Sequence, residues 1–416
     1  MSAAASVHPT PDAPNDESSP TIAWALAPGT LLAGVAGGIA FPILPIAAAR
    51  VGLPVVFIGV ILAANRAMRV VSSPWVGLYA DRNGGRRTLL VGLALQIAVL
   101  SLYALGIVTR QVGSLFLIGR LLHGPASACV FVSAQALALQ AGGRSMGGRS
   151  AGIVRASIVL GVPVGLAVGG LLSDAVGDAA AFFAAAVAVL LALIVAYVRV
   201  PDLRVPIAQG ASFKERLLAM RDRRLFALGA LNLVVNFAAA GMILTTLALL
   251  VRERHLSLFG RNLQGTSGLL MGVLIVCDAA TTPLAGRLGD RFHAHARVAA
   301  VSMTALVAGL VVVGLSTTVP GVAAGLAVMG VGTAGLGPSL LVLMSALIPR
   351  ERRGTGVGLM QFCGDLGGML GPLAGTALLT TSTSLPYLGT AVLVTCSIPL
   401  ALWLARLEAR AVTRPA

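Results

Sequence analysis

The sequence predicts an all-α polytopic membrane protein with twelve transmembrane helices in two six-helix pseudo-symmetric halves. Three observations support this class: 57% of the 416 residues are hydrophobic, 11% are charged, and the mean hydropathy is +0.91. Soluble domains carry about 25% charged residues, so this chain lacks the polar surface that an ordinary soluble enzyme needs. Apolar residues run continuously instead of alternating, which favours helices over a β-barrel.

Twelve stretches are long enough to cross a bilayer, which takes about 20 apolar residues. The first six are Trp24–Ala48, Val55–Tyr79, Thr88–Val108, Val112–Leu139, Ile153–Leu172 and Ala179–Val198. The second six are Leu225–Val251, Gly265–Leu284, Val298–Ser316, Gly321–Leu347, Thr355–Thr380 and Leu385–Leu404. The predicted division is a disordered cytoplasmic tail (1–21), a six-helix half (22–200), a cytoplasmic linker loop (201–224) and a second half with a short cytoplasmic tail (225–416).

The basic residues predict the orientation. With the N-terminus inside, cytoplasmic segments hold 22 of the 30 Lys and Arg, the outer loops hold five, and Arg66, Arg69 and Arg120 lie inside the membrane. Because cytoplasmic loops are enriched in Lys and Arg, both termini are predicted to be cytoplasmic. These loops also account for the net charge of +15, so nucleic acid is not an expected partner. We expect a monomer in a plasma membrane, specifically a bacterial inner membrane.

The two halves repeat each other. Helix 2 ends in Pro74-x-x-Gly77-x-x-x-Asp81-Arg82, and helix 8 ends in Pro283-x-x-Gly286-x-x-x-Asp290-Arg291, 209 residues later. The glycine string of helix 5, Gly152-x8-Gly161-x3-Gly165-Leu166-x2-Gly169, recurs in helix 11 as Gly358-x8-Gly367-x3-Gly371-Pro372-x2-Gly375, 206 residues later. Two patterns with nearly one offset indicate duplication, and paired six-helix repeats with a site between them are typical of secondary transporters.

Three motifs resemble those of the major facilitator superfamily. Gly77-Leu-Tyr-Ala-Asp81-Arg82-Asn-Gly84-Gly85-Arg86-Arg87 resembles its loop 2–3 signature, with Gly85 where a basic residue is usual. Arg120-Leu-Leu-His123-Gly124 resembles its helix 4 signature, with His123 in place of Gln. The helix 5 glycines resemble the antiporter signature of the twelve-helix drug:proton antiporter branch, with Leu166 in place of Pro.

The resemblance implies a role for each motif. A conformational latch is expected at Gly77, Asp81, Arg82, Gly84, Arg86, Asp290 and Arg291, and Arg120 is expected to take part in proton coupling. An antiporter-type glycine motif is expected at Gly152, Gly161, Gly165, Gly169, Gly367, Gly371 and Pro372, where close helix packing across the interface of the halves would seal a leak path. For each motif, a purely structural role is the competing interpretation.

Two acids lie clearly inside the predicted membrane region, Asp278 in helix 8 and Asp365 in helix 11. Intramembrane charges are costly and usually mark an ion or substrate pathway, so both are candidates for proton coupling, with Arg66 and Arg69 as facing residues. Helices 2 and 11 pack together in the superfamily fold, as do helices 5 and 8. We therefore predict Asp365 near Arg66 or Arg69 and Asp278 nearer Arg155. A permanent salt bridge between the halves is the alternative.

Amides in a membrane either line a cavity or bond neighbouring helices. Candidate substrate contacts on this basis are Asn65, Gln135, Asn232, Asn236 and Gln361. The four cysteines have no metal-ligand spacing, so no metal site is predicted. The sequence also contains no nucleophile–base pair and no phosphate loop, so neither an enzyme nor a bound cofactor is expected.

The function favoured by these features is proton-coupled efflux of a small molecule by alternating access, with the proton gradient as energy source. The alternative is a proton symporter or uniporter that imports a small metabolite. A sensor that kept the fold without transport is disfavoured, since idle intramembrane charges are costly. Helices 1 and 4 carry no carboxylate, and three arginines lie in the membrane, which favours neutral or anionic substrates.

Overall fold

The computed structural model describes residues 21–141, 143–201, 221–348 and 353–412, so the predicted N-terminal tail and most of the linker loop lie outside the described residues. Twelve helices there are long and apolar enough to span a membrane. Nine of them are continuous α-helices, and three carry a break or a change of pitch. Their bounds are α1 (Thr21–Gly38 and Ala40–Arg50), α2 (Val55–Asn83), α3 (Gly85–Val108), α4 (Val112–Ala141), α5 (Gly143–Val176), α6 (Asp178–Arg199), α7 (Arg223–Asn236, Phe237–Ile243 and Leu244–Glu253), α8 (Leu263–Phe292), α9 (His295–Leu315), α10 (Val319–Ala334 and Leu336–Leu347), α11 (Arg353–Leu379) and α12 (Leu385–Val412).

Three of these helices depart from a regular α-helix. In α1 the break at Ile39 lies just before Pro42, which has no N–H to donate to the carbonyl of Gly38 four residues earlier. In α10 the break at Gly335 has the same cause, because Pro338 cannot donate to the carbonyl of Ala334. In α7 the segment Phe237–Ile243 is a π-helix, a form that is frequent at functional sites.

The helices pack around two large apolar cores. Most residues of one core come from α1–α6, with Leu249 and Leu379 added from later helices. Most of the other come from α7–α12, with Ile46 and Leu166 added from earlier ones. The two groups of six meet where α2 packs on α11, α5 on α8, and α1 on α7. The predicted neighbours of helices 2 and 5 are therefore confirmed.

The outer faces of the bundle are apolar. Val198, Val301 and Val392 are 72%, 68% and 64% exposed, far more than a water-soluble fold tolerates over a continuous surface. Inside, Glu408 of α12 is buried and accepts hydrogen bonds from the backbone N–H groups of His295 and Ala296, each at 2.9 Å. This carboxylate caps the first turn of α9 and so fixes α12 against it.

The helix 5 glycine motif packs differently from the prediction. A β-carbon on Gly161 would stand 2.9 Å from the Cα of Gly34, and one on Gly165 would stand 2.8 Å from the Cα of Val35. The stripe therefore faces α1, within the first six helices, and the predicted packing across the interface of the halves is wrong. Residues at i, i+4 and i+8 share one helix face. The glycines therefore all face α1, and a different face of α5 packs on α8.

The repeat of this motif in helix 11 packs in the equivalent way. Gly367 and Gly371 lie against α7, where a β-carbon on Gly371 would stand 2.7 Å from the Cα of Gly241. Gly169 likewise lies against Ile39 of α1. Gly152 is helical, but its surroundings lie outside what the structure describes. The duplicated glycines thus join α1 to α5 and α7 to α11.

Candidate functional site

A cavity of about 660 Å³ lies between the two groups of six helices. Its wall combines apolar side chains with a few polar ones from both groups. Those with charged or amide side chains are Arg66, Arg69, Gln135, Asn232, Asn236, Asp278, Gln361 and Asp365. Both predicted intramembrane carboxylates and two of the three predicted arginines therefore face one space, which is the usual position for an ion or substrate pathway.

Arg66, Arg69 and Asp365 form an ion triad that joins α2 to α11. Arg66 Nη1 donates to Asp365 Oδ1 at 2.9 Å, and Arg69 donates through Nε to Oδ2 at 3.2 Å and through Nη2 to Oδ1. Gln361, one turn before Asp365 on α11, donates to Oδ2 at 3.2 Å. The prediction that Asp365 lies near Arg66 or Arg69 is confirmed, and it contacts both.

Asp278 of α8 has quite different surroundings. Its Oδ1 accepts a hydrogen bond of 2.7 Å from Thr333 Oγ1 of α10. Among the described side chains it makes no ion pair. The side chain of Arg155, its predicted neighbour, lies outside the described residues, so that prediction stays untested. Asp278 is thus a cavity carboxylate held by a hydroxyl group.

Arg120 lies outside the cavity wall, fully buried within the first six helices. Its guanidinium stacks over the ring of Phe41 at 5.2 Å and over that of Tyr103 at 5.9 Å. None of its side-chain nitrogens has a hydrogen-bond partner among the described residues, and the same holds for His123 Nδ1. Aromatic faces stabilise a buried cation, so these two rings hold the Arg120 guanidinium away from the cavity wall.

Four of the five predicted amides line the cavity: Gln135, Asn232, Asn236 and Gln361. Asn232 Nδ2 donates to the Met360 carbonyl at 2.5 Å, and Asn236 Nδ2 donates to the backbone and side-chain oxygens of Asn232. Asn232 therefore joins α7 to α11, whereas Asn236 bonds within α7, and both line the cavity. Asn65 is not part of the wall, because it sits where α2 packs on Gly124 of α4.

The two helix groups are closed at the end that carries the α1–α2 and α7–α8 turns. Gly170 of α5 and Gly268 of α8 face each other there, and a β-carbon on either would stand 3.0 Å from the Cα of the other. Between α2 and α11, a β-carbon on Gly59 would stand 2.8 Å from the Pro372 carbonyl oxygen. Glycines let these backbones approach closely enough to exclude water.

A group of polar residues reinforces the same end, named here the outer cluster: Arg50, Asp174, Asp178, Arg261 and Gln264. Asp174 accepts from Arg261 Nη1 at 3.1 Å and from the backbone N–H of Asn262 at 3.2 Å. Asp178 accepts from Arg50 Nη1 at 3.0 Å and from Gln264 Nε2 at 3.1 Å. Two carboxylates of the first six helices thus bind the start of α8, and sequence reasoning missed them.

The predicted latch residues lie at the opposite end. Apart from the adjoining turns of its own helix, no described residue comes within 4 Å of where a β-carbon of Gly77 or of its repeat Gly286 would stand. Arg86 Nη2 donates to the Tyr197 carbonyl at 2.5 Å and stacks on its ring, within the first six helices. The exposed Asp290 lies 3.2 Å from His295, and Arg291 lies over the ring of Phe292. Gly84 has a φ of 86° and ends α2, as its predicted turn requires.

Comparison with known proteins shows the family. A sequence model described as Major Facilitator Superfamily matches residues 26–265 and 230–416. The chain belongs to the major facilitator superfamily. It is therefore a membrane transporter and not an enzyme, and transporters of this superfamily need no cofactor. The resemblance stated from the three motifs is confirmed.

The curated relatives of this superfamily member include efflux pumps. The multi-drug resistance efflux pump PmrA of Streptococcus pneumoniae is 24% identical over 366 residues, which cover 86% of this chain and 88% of that protein. The multidrug resistance protein MdtG of a Rahnella species is 26% identical over 384 residues, covering 91% and 90%. PmrA is an efflux pump, and efflux is the direction of transport that the sequence predicts for this chain.

Solved structures share the fold at low identity. A bacterial homologue of the human lysosomal transporter Spinster, in an inward-facing and occupied conformation, matches with a TM-score of 0.74 and 12% identity over 94% of this chain and 98% of that one. The human organic anion transporter MFSD10 matches with a TM-score of 0.66 and 19% identity over 94% and 100%. At these identities the likeness establishes the superfamily fold alone.

Proposed function

We propose that this superfamily member exports small molecules in exchange for protons by alternating access. The observation that carries the proposal is Asp278, a cavity-lining carboxylate whose described side-chain partner is a hydroxyl group. A carboxylate without a bound cation can take up a proton and release it again, whereas a neighbouring arginine favours the charged form. The efflux pumps among the relatives support the direction of transport.

The closed end of the cavity supports an inward-facing state. The predicted orientation puts both termini and the basic loops in the cytoplasm of a bacterial cell, with the protein in the inner membrane. The glycine contacts and the outer cluster then close the external side, while Gly77 and Gly286 of the cytoplasmic latch meet no other helix among the described residues. In this state the cavity takes up substrate from the cytoplasm and releases a proton there.

The exchange follows from one carboxylate serving both ligands in turn. Facing outward, Asp278 binds a proton from the external solution as the substrate leaves. Facing inward, it gives that proton to the cytoplasm, and substrate enters beside the charged carboxylate. The inward proton gradient drives the cycle. The ion triad keeps Asp365 charged in the present state, so Asp365 takes part in proton exchange only in a state that separates it from its arginines.

The test uses everted membrane vesicles with a respiration-driven pH gradient. Cationic, neutral, zwitterionic and anionic compounds are added and collapse of the gradient is recorded for the wild type and for Asp278→Asn. We expect compound-dependent proton release in the wild type and its loss in Asp278→Asn, because an amide side chain does not bind a proton at physiological pH. Glu253→Gln is the matched control, since Glu253 is an exposed acid at the end of α7, and it is expected to behave as the wild type.

Full proton release by the Asp278→Asn variant at normal expression would show that Asp278 is not the proton-binding residue. Substrate accumulation inside intact cells, driven by the same gradient, would instead favour the importing symporter. Equilibration of substrate without any proton movement would favour the uniporter.

A further inference from the structure

The cavity presents charges of opposite sign on different helices. In the ion triad, the side chains of Arg66 and Arg69 are 24% and 15% exposed, whereas that of Asp365 is 6% exposed. A ligand entering the cavity therefore meets the guanidinium groups before the carboxylate that they share. The α2 side of the cavity attracts an acid group even though the triad contains an anion.

The protein behind this wall adds positive charge. Gly124 of α4 lies against the backbone of Asn65 and Arg69, and Arg120 is one turn earlier on α4. The buried guanidinium of Arg120 has no counter-ion among the described side chains. In a low-dielectric interior such a charge acts over a longer range than in water, so Arg120 strengthens the preference of the α2 wall for an anionic group.

Asp278 of α8 supplies a negative charge to the cavity. Thr333 donates to Oδ1, and no described residue donates to Oδ2. A protonated amine would complete the hydrogen bonding of this carboxylate and neutralise it. The same wall also includes the apolar side chains of Val132, Ile275 and Leu274, so the cavity favours a ligand with an apolar body.

We propose that the preferred substrates are zwitterions: molecules with an acid group that binds Arg66 and Arg69, a protonated amine that binds Asp278, and an apolar body between them. This inference rests on the proposed exchange of substrate for a proton, and it explains that exchange, because the amine and the proton compete for one carboxylate. The expectation of neutral or anionic substrates rested on the absence of a carboxylate in helices 1 and 4 and on the three intramembrane arginines, and it assigned Asp278 to proton coupling alone.

The test compares three matched compounds in binding to the purified full-length protein at pH 7 by calorimetry. The zwitterion is 4′-(aminomethyl)biphenyl-4-carboxylic acid, its methyl ester is the cation, and its N-acetyl derivative is the anion. A hydrogen-bonded charge pair contributes about 1.5–3 kcal/mol, and each 1.4 kcal/mol is tenfold in affinity. We therefore expect the zwitterion to bind at least about tenfold more tightly than either derivative.

The variants assign each end of the ligand. Asp278→Asn should remove the advantage of the zwitterion over the N-acetyl anion and leave its advantage over the ester. Arg69→Gln should remove the advantage of the zwitterion over the ester and leave its advantage over the N-acetyl anion. Arg69→Lys, which keeps a positive charge, should retain part of the advantage over the ester. Equal binding of the three compounds, tightest binding of a derivative, or binding of none of them to the wild type overturns the proposal.

The binding experiment needs no pH gradient, which separates it from the test of proton exchange. If the zwitterion binds as expected but its transport releases no protons from vesicles, the proposed exchange is wrong while the substrate class stands. If protons are released by cations as readily as by zwitterions, the exchange stands and the substrate class is wrong.

Discussion

Asp278 and Asp365 are both carboxylates in the middle of membrane-spanning helices, yet their surroundings assign them different properties. Asp365 accepts hydrogen bonds from two guanidinium groups and an amide, whereas the described partner of Asp278 is a hydroxyl. Two adjacent cations hold a carboxylate in its charged form. A residue that must alternate between two protonation states is better served by the surroundings of Asp278.

Removing Asp365 should destabilise the protein more than removing one of its arginines. Asp365→Asn leaves the partly exposed Arg66 and Arg69 without an anion, and removing one partner of a fully buried pair costs roughly 3–5 kcal/mol in soluble proteins. Arg69→Gln leaves Asp365 paired with Arg66. We expect a lower thermal midpoint in detergent for Asp365→Asn than for Arg69→Gln.

A double-mutant cycle measures whether the two residues interact. Asp365→Asn combined with Arg69→Gln leaves one unpaired cation instead of two, so the double variant should be more stable than the sum of the single losses predicts. Strict additivity of the two losses would show that the contact between Arg69 and Asp365 contributes nothing to stability.

At the scale of helices, small residues decide which pairs come into backbone contact. The glycine stripes of α5 and α11 fit these helices to α1 and α7, and separate glycines close α5 on α8 and α2 on α11. A stripe of glycines indicates a close helix contact, but periodicity alone does not say which neighbour fills it. That choice depends on how all six helices of a group are arranged.

Gly161→Ala tests the contact of α5 with α1. A β-carbon there would meet the backbone of Gly34 at 2.9 Å, so the helices must separate, and such overpacking costs about 1–3 kcal/mol. We expect a lower thermal midpoint and reduced transport. Gly37→Ala in α1 is the control, because no described residue of another helix lies within 4 Å of the β-carbon position of Gly37. The better helix propensity of alanine should leave stability equal or slightly higher. Equal midpoints for the two variants would contradict this packing.

At the scale of the whole molecule, the outer cluster and the latch lie at opposite ends of the cavity. The outer cluster joins the two groups of helices, whereas Gly77 and Gly286 of the latch contact no neighbouring helix in the part of the chain that the structure describes. An alternating-access transporter closes one end while the other is open, and the balance between the two states shifts with any contact made in one of them alone.

Loosening the outer cluster should shift this balance toward the outward-facing state. Arg261→Gln combined with Asp174→Asn removes a partly exposed ion pair, worth up to about 1 kcal/mol, which corresponds to about a fivefold change in the ratio of states. Spin labels at the exposed Thr109 and Thr317, in a background without native cysteines, report the distance between the outer ends of the two groups. The double variant should populate longer distances than the wild type.

The control for this measurement is Glu253→Gln, an exposed outer residue that belongs to no described ion pair. Its distance distribution should match that of the wild type. An unchanged distribution in the double variant would show that the glycine contacts of α5 with α8 close the external side without help from the outer cluster.

The sequence by itself determined the class of the protein, the twelve helices, the duplication and the superfamily. These follow from local properties: the length of apolar stretches, the distribution of arginines and the spacing of motif residues. It also predicted Asp365 near Arg66 or Arg69, because the resemblance to the superfamily implies that helices 2 and 11 pack together and because intramembrane charges are costly without a partner.

Only the tertiary structure decided which helix each glycine stripe contacts and that Asp278 is hydrogen-bonded to Thr333. It also decided that Asn65 lies off the cavity and that Asp174 and Asp178 bind the start of α8. Each of these depends on the rotation of one helix against another. Rotations are set by the packing of many side chains at once, so no short segment of sequence carries them.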